Sequence, residues 1–85
     1  MKLQVFQIDA WRDPDGGWTY NNSIPLRKIE INGEVTKRKI FKALRDVNLL
    51  GPESIYQIDD YFVYEGMWNV QLRNGMPLYD VLEEV

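Results

Sequence analysis

An α+β domain of ββαβββ order, an antiparallel sheet with one helix packed across one face, is what the sequence predicts for residues 1–85. Three observations predict it. A capped amphipathic stretch after Thr36 reads as a helix. Asn74-Gly75 separates two alternating runs, a strong hairpin signal. Arg12-Asp13-Pro14-Asp15-Gly16-Gly17 is a dense turn signal between strand-like stretches near the N-terminus.

The first strand reads Lys2 to Trp11. Leu3 and Val5 share one phase of the alternation; Phe6, Ile8 and Ala10 share the other. A phase switch inside a strand means a bulge or burial on both faces. Trp18 to Ser23 is polar and aromatic, and Asn21-Asn22 suits left-handed turn geometry. Pro25 to Ile31 reads as the second strand, with Ile29 and Ile31 facing inward. Thr36 is the N-cap of the helix, and Val35 with Ile40 fits a hydrophobic staple across its first turn. Ile40, Ala43, Leu44 and Val47 recur at helical spacing, opposite Arg38, Lys42 and Arg45. Asn48 or Gly51 closes the helix, and Pro52 forbids its continuation.

Glu53 to Asp59 and Tyr61 to Glu65 are strand candidates in the C-terminal third. The last hairpin is better marked. Trp68, Val70 and Leu72 alternate with Asn69, Gln71 and Arg73 before Asn74-Gly75. A two-residue type I′ turn there pairs Leu72 with Pro77, Val70 with Tyr79 and Trp68 with Val81. Pro77 lacks an amide to donate, which points to an edge position for the final strand.

Eighty-five residues, 45% hydrophobic and 27% charged, make one small globular domain with no room for a second core. Such a domain is marginal on its own core. Three Trp, five Tyr and three Phe compensate, and a homodimer is the other route to stability. Cysteine and histidine are absent. That removes disulfides, thiolate zinc sites, cysteine nucleophiles, the commonest general base and the commonest metal ligand. No catalytic residue, metal site or cofactor is expected, and the chain reads as a non-enzyme. No apolar run approaches the ~18 residues of a membrane span. Met1-Lys2-Leu3-Gln4 lacks an apolar h-region, so no signal peptide is expected and the reading is cytoplasmic.

Charge is the main functional clue. Net charge is −3, yet Arg27, Lys28, Lys37, Arg38, Lys39, Lys42 and Arg45 lie together, against Glu30 and Glu34. Asp46 to Val85 holds eight acids and one base, Arg73. Lys37, Arg38 and Lys39 open the helix, where cations oppose the dipole at ~0.3–1 kcal/mol each. A local rule broken without visible gain points to function. The basic face is read as a solvated surface, as a docking patch for an acidic protein surface, or as a phosphate-binding face on nucleic acid. Arg38, Lys42, Arg45, Lys39, Trp18 and Tyr20 are the candidate partner-binding residues. Trp11, Trp18 and Tyr20 flank the Gly-rich loop and either cap the core, meet a partner or stack on bases.

The acids show no catalytic organisation. Asp13, Asp15 and Gly16 lack the ligand spacing and terminal glutamate of a calcium loop. Asp59-Asp60 reads as a turn. Asp80, Glu83 and Glu84 read as a charged sheet edge, or as an imitation of a phosphate backbone. The glycines form no phosphate-binding fingerprint.

Ile8-Asp9-Ala10-Trp11, Trp18-Thr19-Tyr20-Asn21-Asn22 and Lys39-Ile40-Phe41-Lys42-Ala43-Leu44 give the first half of the chain a layout that resembles small uncharacterised proteins encoded in bacteriophage genomes. The resemblance implies a life in the host cytoplasm and action by binding, as an accessory factor or an inhibitor of a host protein. It transfers no site residues. The expected function is therefore a protein–protein interaction module with a host or phage protein as partner and no membrane contact. The alternative is a single-stranded nucleic-acid binder using the basic helix with Trp18 or Tyr20.

Overall fold

The structure is a computed structural model and describes residues 1–52, 55–59 and 66–84, with the backbone alone at residues 20–23 and 59. Strands β1 (Lys2–Arg12) and β2 (Trp18–Glu30), helix α1 (Lys37–Asp46), and strands β3 (Tyr56–Asp59), β4 (Met67–Leu72) and β5 (Pro77–Glu83) follow in the expected ββαβββ order. All strand pairs are antiparallel, and the described strands form one sheet in the order β2-β1-β5-β4-β3. The candidate strand Tyr61 to Glu65, and Glu53, Ser54 and Asp60, lie outside the described residues.

The first hairpin is longer than its sequence reads. Asp13 and Gly17 close the turn: the Asp13 amide donates to the Gly17 carbonyl at 2.8 Å and Gly16 takes φ +94°. The Thr19 hydroxyl donates to Asp13 Oδ2 at 2.6 Å. With the turn settled there, β2 begins at Trp18 rather than at Pro25, and Asn21 pairs with Asp9 inside the ladder instead of turning the chain. Two register shifts, between Val5 and Phe6 and between Gln7 and Asp9, put the extra residues on β2. These bulges let the strand carry Pro25 without breaking the β1 pairing. They accompany the phase switch in β1: Leu3 and Val5 enter the main core, while Ile8 is buried outside it.

Helix α1 obeys its local signals. Thr36 Oγ1 accepts from the Lys39 amide at 3.2 Å. At the other end Asn48 takes φ +62°, the Asn48 amide donates to the Arg45 carbonyl and the Leu49 amide to the Leu44 carbonyl. That pair of bonds is the Schellman arrangement, so Asn48 rather than Gly51 ends the helix. Ile40 and Leu44 are fully buried over Leu3, Val5, Ile29, Val70 and Val81 of the sheet. Each such side chain contributes ~1.5–3 kcal/mol by leaving water. Two tyrosines tie the chain after α1 to the sheet. The Tyr79 hydroxyl donates to the Leu49 carbonyl at 3.0 Å, and the Gly51 amide donates to the Tyr56 hydroxyl at 3.3 Å. Burial, helped by nearby Tyr56, pushes the Tyr79 hydroxyl above its ordinary pKa.

The final hairpin keeps the expected pairs Trp68–Val81 and Val70–Tyr79 but not Leu72–Pro77. The Gly75 amide donates to the Leu72 carbonyl, the Leu72 amide to the Met76 carbonyl, and Gly75 alone of the turn residues has positive φ. The loop is therefore Arg73-Asn74-Gly75, a type I turn with a glycine bulge, and Pro77 faces Gln71. A second irregularity between Val70 and Gln71 leaves Leu78 as an extra residue and restores the outer register.

Pro77 does not mark an edge. β5 lies between β1 and β4, and Pro77 is its first residue, beyond the last β1 pair, Gln7–Tyr79. No β1 carbonyl faces it there. Asp80, Glu83 and Glu84 accordingly do not form a charged edge. Asp80 is half-buried against Asn69, and Glu84 pairs with Lys28 of β2.

Candidate functional site

The outer face of α1 is the candidate surface. Burying Ile40 and Leu44 turns Lys37, Arg38, Lys39, Lys42 and Arg45 to solvent. The first turn holds no acid to complement the helix dipole. Their surroundings differ. Lys39 Nζ donates to the Asn32 carbonyl at 2.8 Å and the Glu34 carbonyl at 2.9 Å. It braces the loop entering the helix and is structural first. Lys42 pairs with Asp46 one turn on at 2.9 Å, with both side chains more than half exposed. Such a pair is worth ~0.3–0.5 kcal/mol and leaves Lys42 able to change partners. Arg45 lies over the Phe41 ring at 5.7 Å and donates weakly to the Gly51 carbonyl at 3.4 Å. It sits in the last turn, where a cation suits the dipole. Arg38 is exposed and makes no interaction among the described residues. Of the four candidate cations on the helix, Arg38 and Lys42 are the least engaged by their own chain among the described residues.

Beside this ridge an open groove of ~230 Å³ runs between α1 and the end of β2. Lys39, Lys42, Ala43 and Asp46 form its helix wall, one stripe at helical spacing. Glu30, Ile31 and Asn32 form the other.

Trp18 and Tyr20 are not brought to the helix. Trp18 and Glu30 are opposite ends of a 13-residue strand, and the helix packs at the Glu30 end. Extended, that strand spans ~40 Å; the molecule's longest dimension is 41 Å. Trp18 is half-buried, stacked by Arg12 at 5.5 Å and set beside Gly75, where an added Cβ would stand 3.7 Å from its ring. It ties the first hairpin to the β4–β5 turn. Tyr20 pairs with Ala10 through its backbone. Trp11, by contrast, is 47% exposed, beyond what capping a core requires.

Sequence reasoning missed a polar ladder on the sheet face away from α1. Gln57 donates to Gln71 at 2.9 Å, Gln71 to Asn69 at 2.6 Å, and Asn69 to Asp80 at 2.9 Å. Asn69 is 2% exposed and Gln71 7%. Burial raises the Asp80 carboxyl above its usual range, and the bond from Asn69 partly opposes this. The alternation of Asn69 and Gln71 with apolar residues reads as a solvent-facing phase, and no feature of the sequence distinguishes buried amides from exposed ones. Among the described residues no group of three or more acids is placed to hold a metal ion, and no helix is long and apolar enough to cross a membrane. No protein family, curated protein or solved structure matches the chain.

Proposed function

We propose that this chain is a non-enzymatic protein–protein interaction module whose contact surface is the outer face of α1, acting in the host cytoplasm as a phage-encoded inhibitor or accessory factor. One observation carries the reading. Arg38 stands exposed in the first half of a helix with no acid in its first turn, and it makes no interaction among the described residues that would offset its cost. Lys42, one turn on, adds a second cation held only by an exposed pair. The partner this favours is an acidic protein surface.

The nucleic-acid alternative draws less support. It needs the helix cations and Trp18 on one surface, and these lie at opposite ends of β2. About three to five cations facing one partner neutralise too few phosphates for more than weak, salt-sensitive binding.

Affinity capture from nuclease-treated cognate lysate tests the reading. The chain should retain a specific protein, and the Arg38→Glu, Lys42→Glu double variant should lose it while melting at an unchanged or higher temperature. Equal retention by both removes the helix from the function. Retention abolished by nuclease in the native chain favours nucleic acid instead.

A further inference from the structure

We propose that the Arg27–Glu30 end of β2, with Ile31 just beyond it, accepts an extended acidic peptide of the partner as an added strand, with alternate peptide side chains entering the groove between β2 and α1. This rests on the docking reading and names what docks.

β2 is an edge of the described sheet, joined only to β1. An open edge offers unpaired amides and carbonyls to another chain unless it is protected. The first part of β2 is protected: it carries both register shifts and Pro25. The last part is not. From Arg27 to Glu30 the pairing with β1 runs without irregularity, and the Ile31 amide donates to the Met1 carbonyl at 2.9 Å. Because that bond points inward, the alternate residues Glu30 and Lys28 turn their amides and carbonyls outward. The regular, proline-free portion of the edge is the portion beside the groove.

A strand laid there would place every second side chain against Ile31, Ala43 and Lys42, which line the groove. Ile31 and Ala43 suit a small apolar group. Lys42 and Arg27 suit carboxylates, and the Lys39 ammonium has donated two of its three hydrogens to carbonyls. On the other face Lys28 is more than half exposed, held by Glu84. Glu30 and Asp46 restrict the acidic positions to those opposite Arg27, Lys28 and Lys42. A second copy of this chain is the rival occupant: antiparallel pairing of β2 with itself centred on Ile29 would set Lys28 against Glu30 of the copy, and a purified chain that sediments as a dimer and binds no acidic peptide would overturn the peptide reading.

The probe is a library of random peptides of about six residues, selected against the purified chain. Selected peptides should alternate acidic with small or β-branched apolar residues. A copy of the best peptide N-methylated at alternate positions should bind about tenfold more weakly, as expected for two lost hydrogen bonds. Lys28→Pro, which removes an outward amide without touching the β1 ladder, should weaken the peptide several-fold and also reduce lysate capture, with the melting transition kept. Lys42→Glu, which leaves the backbone edge intact, should weaken it too and serves if Lys28→Pro does not fold. Failure to select such peptides, or equal binding by the N-methylated copy, overturns strand addition. If lysate capture is lost on helix charge reversal but not in folded Lys28→Pro, strand addition falls and the docking face stands.

Discussion

Asn48 shows how a single residue settles an element. It holds φ +62°, and the two backbone bonds around it end α1. Asn48→Ala should cost about 1 kcal/mol by denaturant unfolding, and Asn48→Gly should be close to neutral. Equal losses in both would mean that the side chain, not the backbone angle, is what matters. Asp80 makes a pH-dependent contribution. Burial raises its folded pKa, so between the ordinary aspartate value and the raised one the folded state holds more protons than the unfolded. Stability contributed by this group is therefore highest in acid and falls as pH rises through that window. Asp80→Asn should gain stability over the native chain at neutral pH, with the difference shrinking in acid; a constant difference across pH would show that ionisation of Asp80 is irrelevant. The cap and the helix stop were legible because Thr36, Asn48 and Pro52 act on their immediate neighbours. The raised carboxyl was not, because burial of Asp80 depends on chain far away in sequence.

Elements were read well where local chemistry and pattern agree, and less well where they compete. The helix bounds follow from caps and spacing. In the last hairpin the pattern Trp68, Val70 against Tyr79, Val81 set the outer register, which the structure keeps. The turn itself takes one more residue than Asn-Gly suggests, and Leu78 absorbs the difference. Two local departures cancel, which no turn rule applied alone can foresee. The amide ladder spans three elements, β3, β4 and β5. Each amide donates toward Asp80, and no buried side-chain polar atom among the described residues is left without a partner. Gln71 is its hinge, donating to Asn69 and accepting from Gln57. Gln71→Ala should destabilise by ~1–3 kcal/mol, because it orphans a donor on one side and an acceptor on the other. A loss below half a kcal/mol in the same unfolding titration would mean water already serves those atoms.

Sheet order sets which edge lies beside the proposed docking face, at the scale of the whole molecule, and the sequence does not show it. Pro77 and the C-terminal acids suggest an edge, yet the chain closes β5 between β1 and β4. That leaves β2 as an edge, with its regular end beside α1 and its aromatic end far away. Arg38, Lys42, Arg45 and Lys39 share a helix, as the spacing shows; Trp18 belongs to the other end of the fold, and only tertiary structure separates it from them. Among the described residues the basic patch meets the acidic C-terminal half through the Lys42–Asp46 pair and the Lys28–Glu84 pair. The central claim is that Arg38 is kept for a partner at the expense of the helix. The direct measurement is Arg38→Glu, with thermal unfolding and partner retention read on the same sample. A gain of ~0.3–1 kcal/mol, from placing an acid near the helix N-terminus, is expected together with reduced retention of the captured protein. Undiminished retention, or a clear loss of stability, would contradict it.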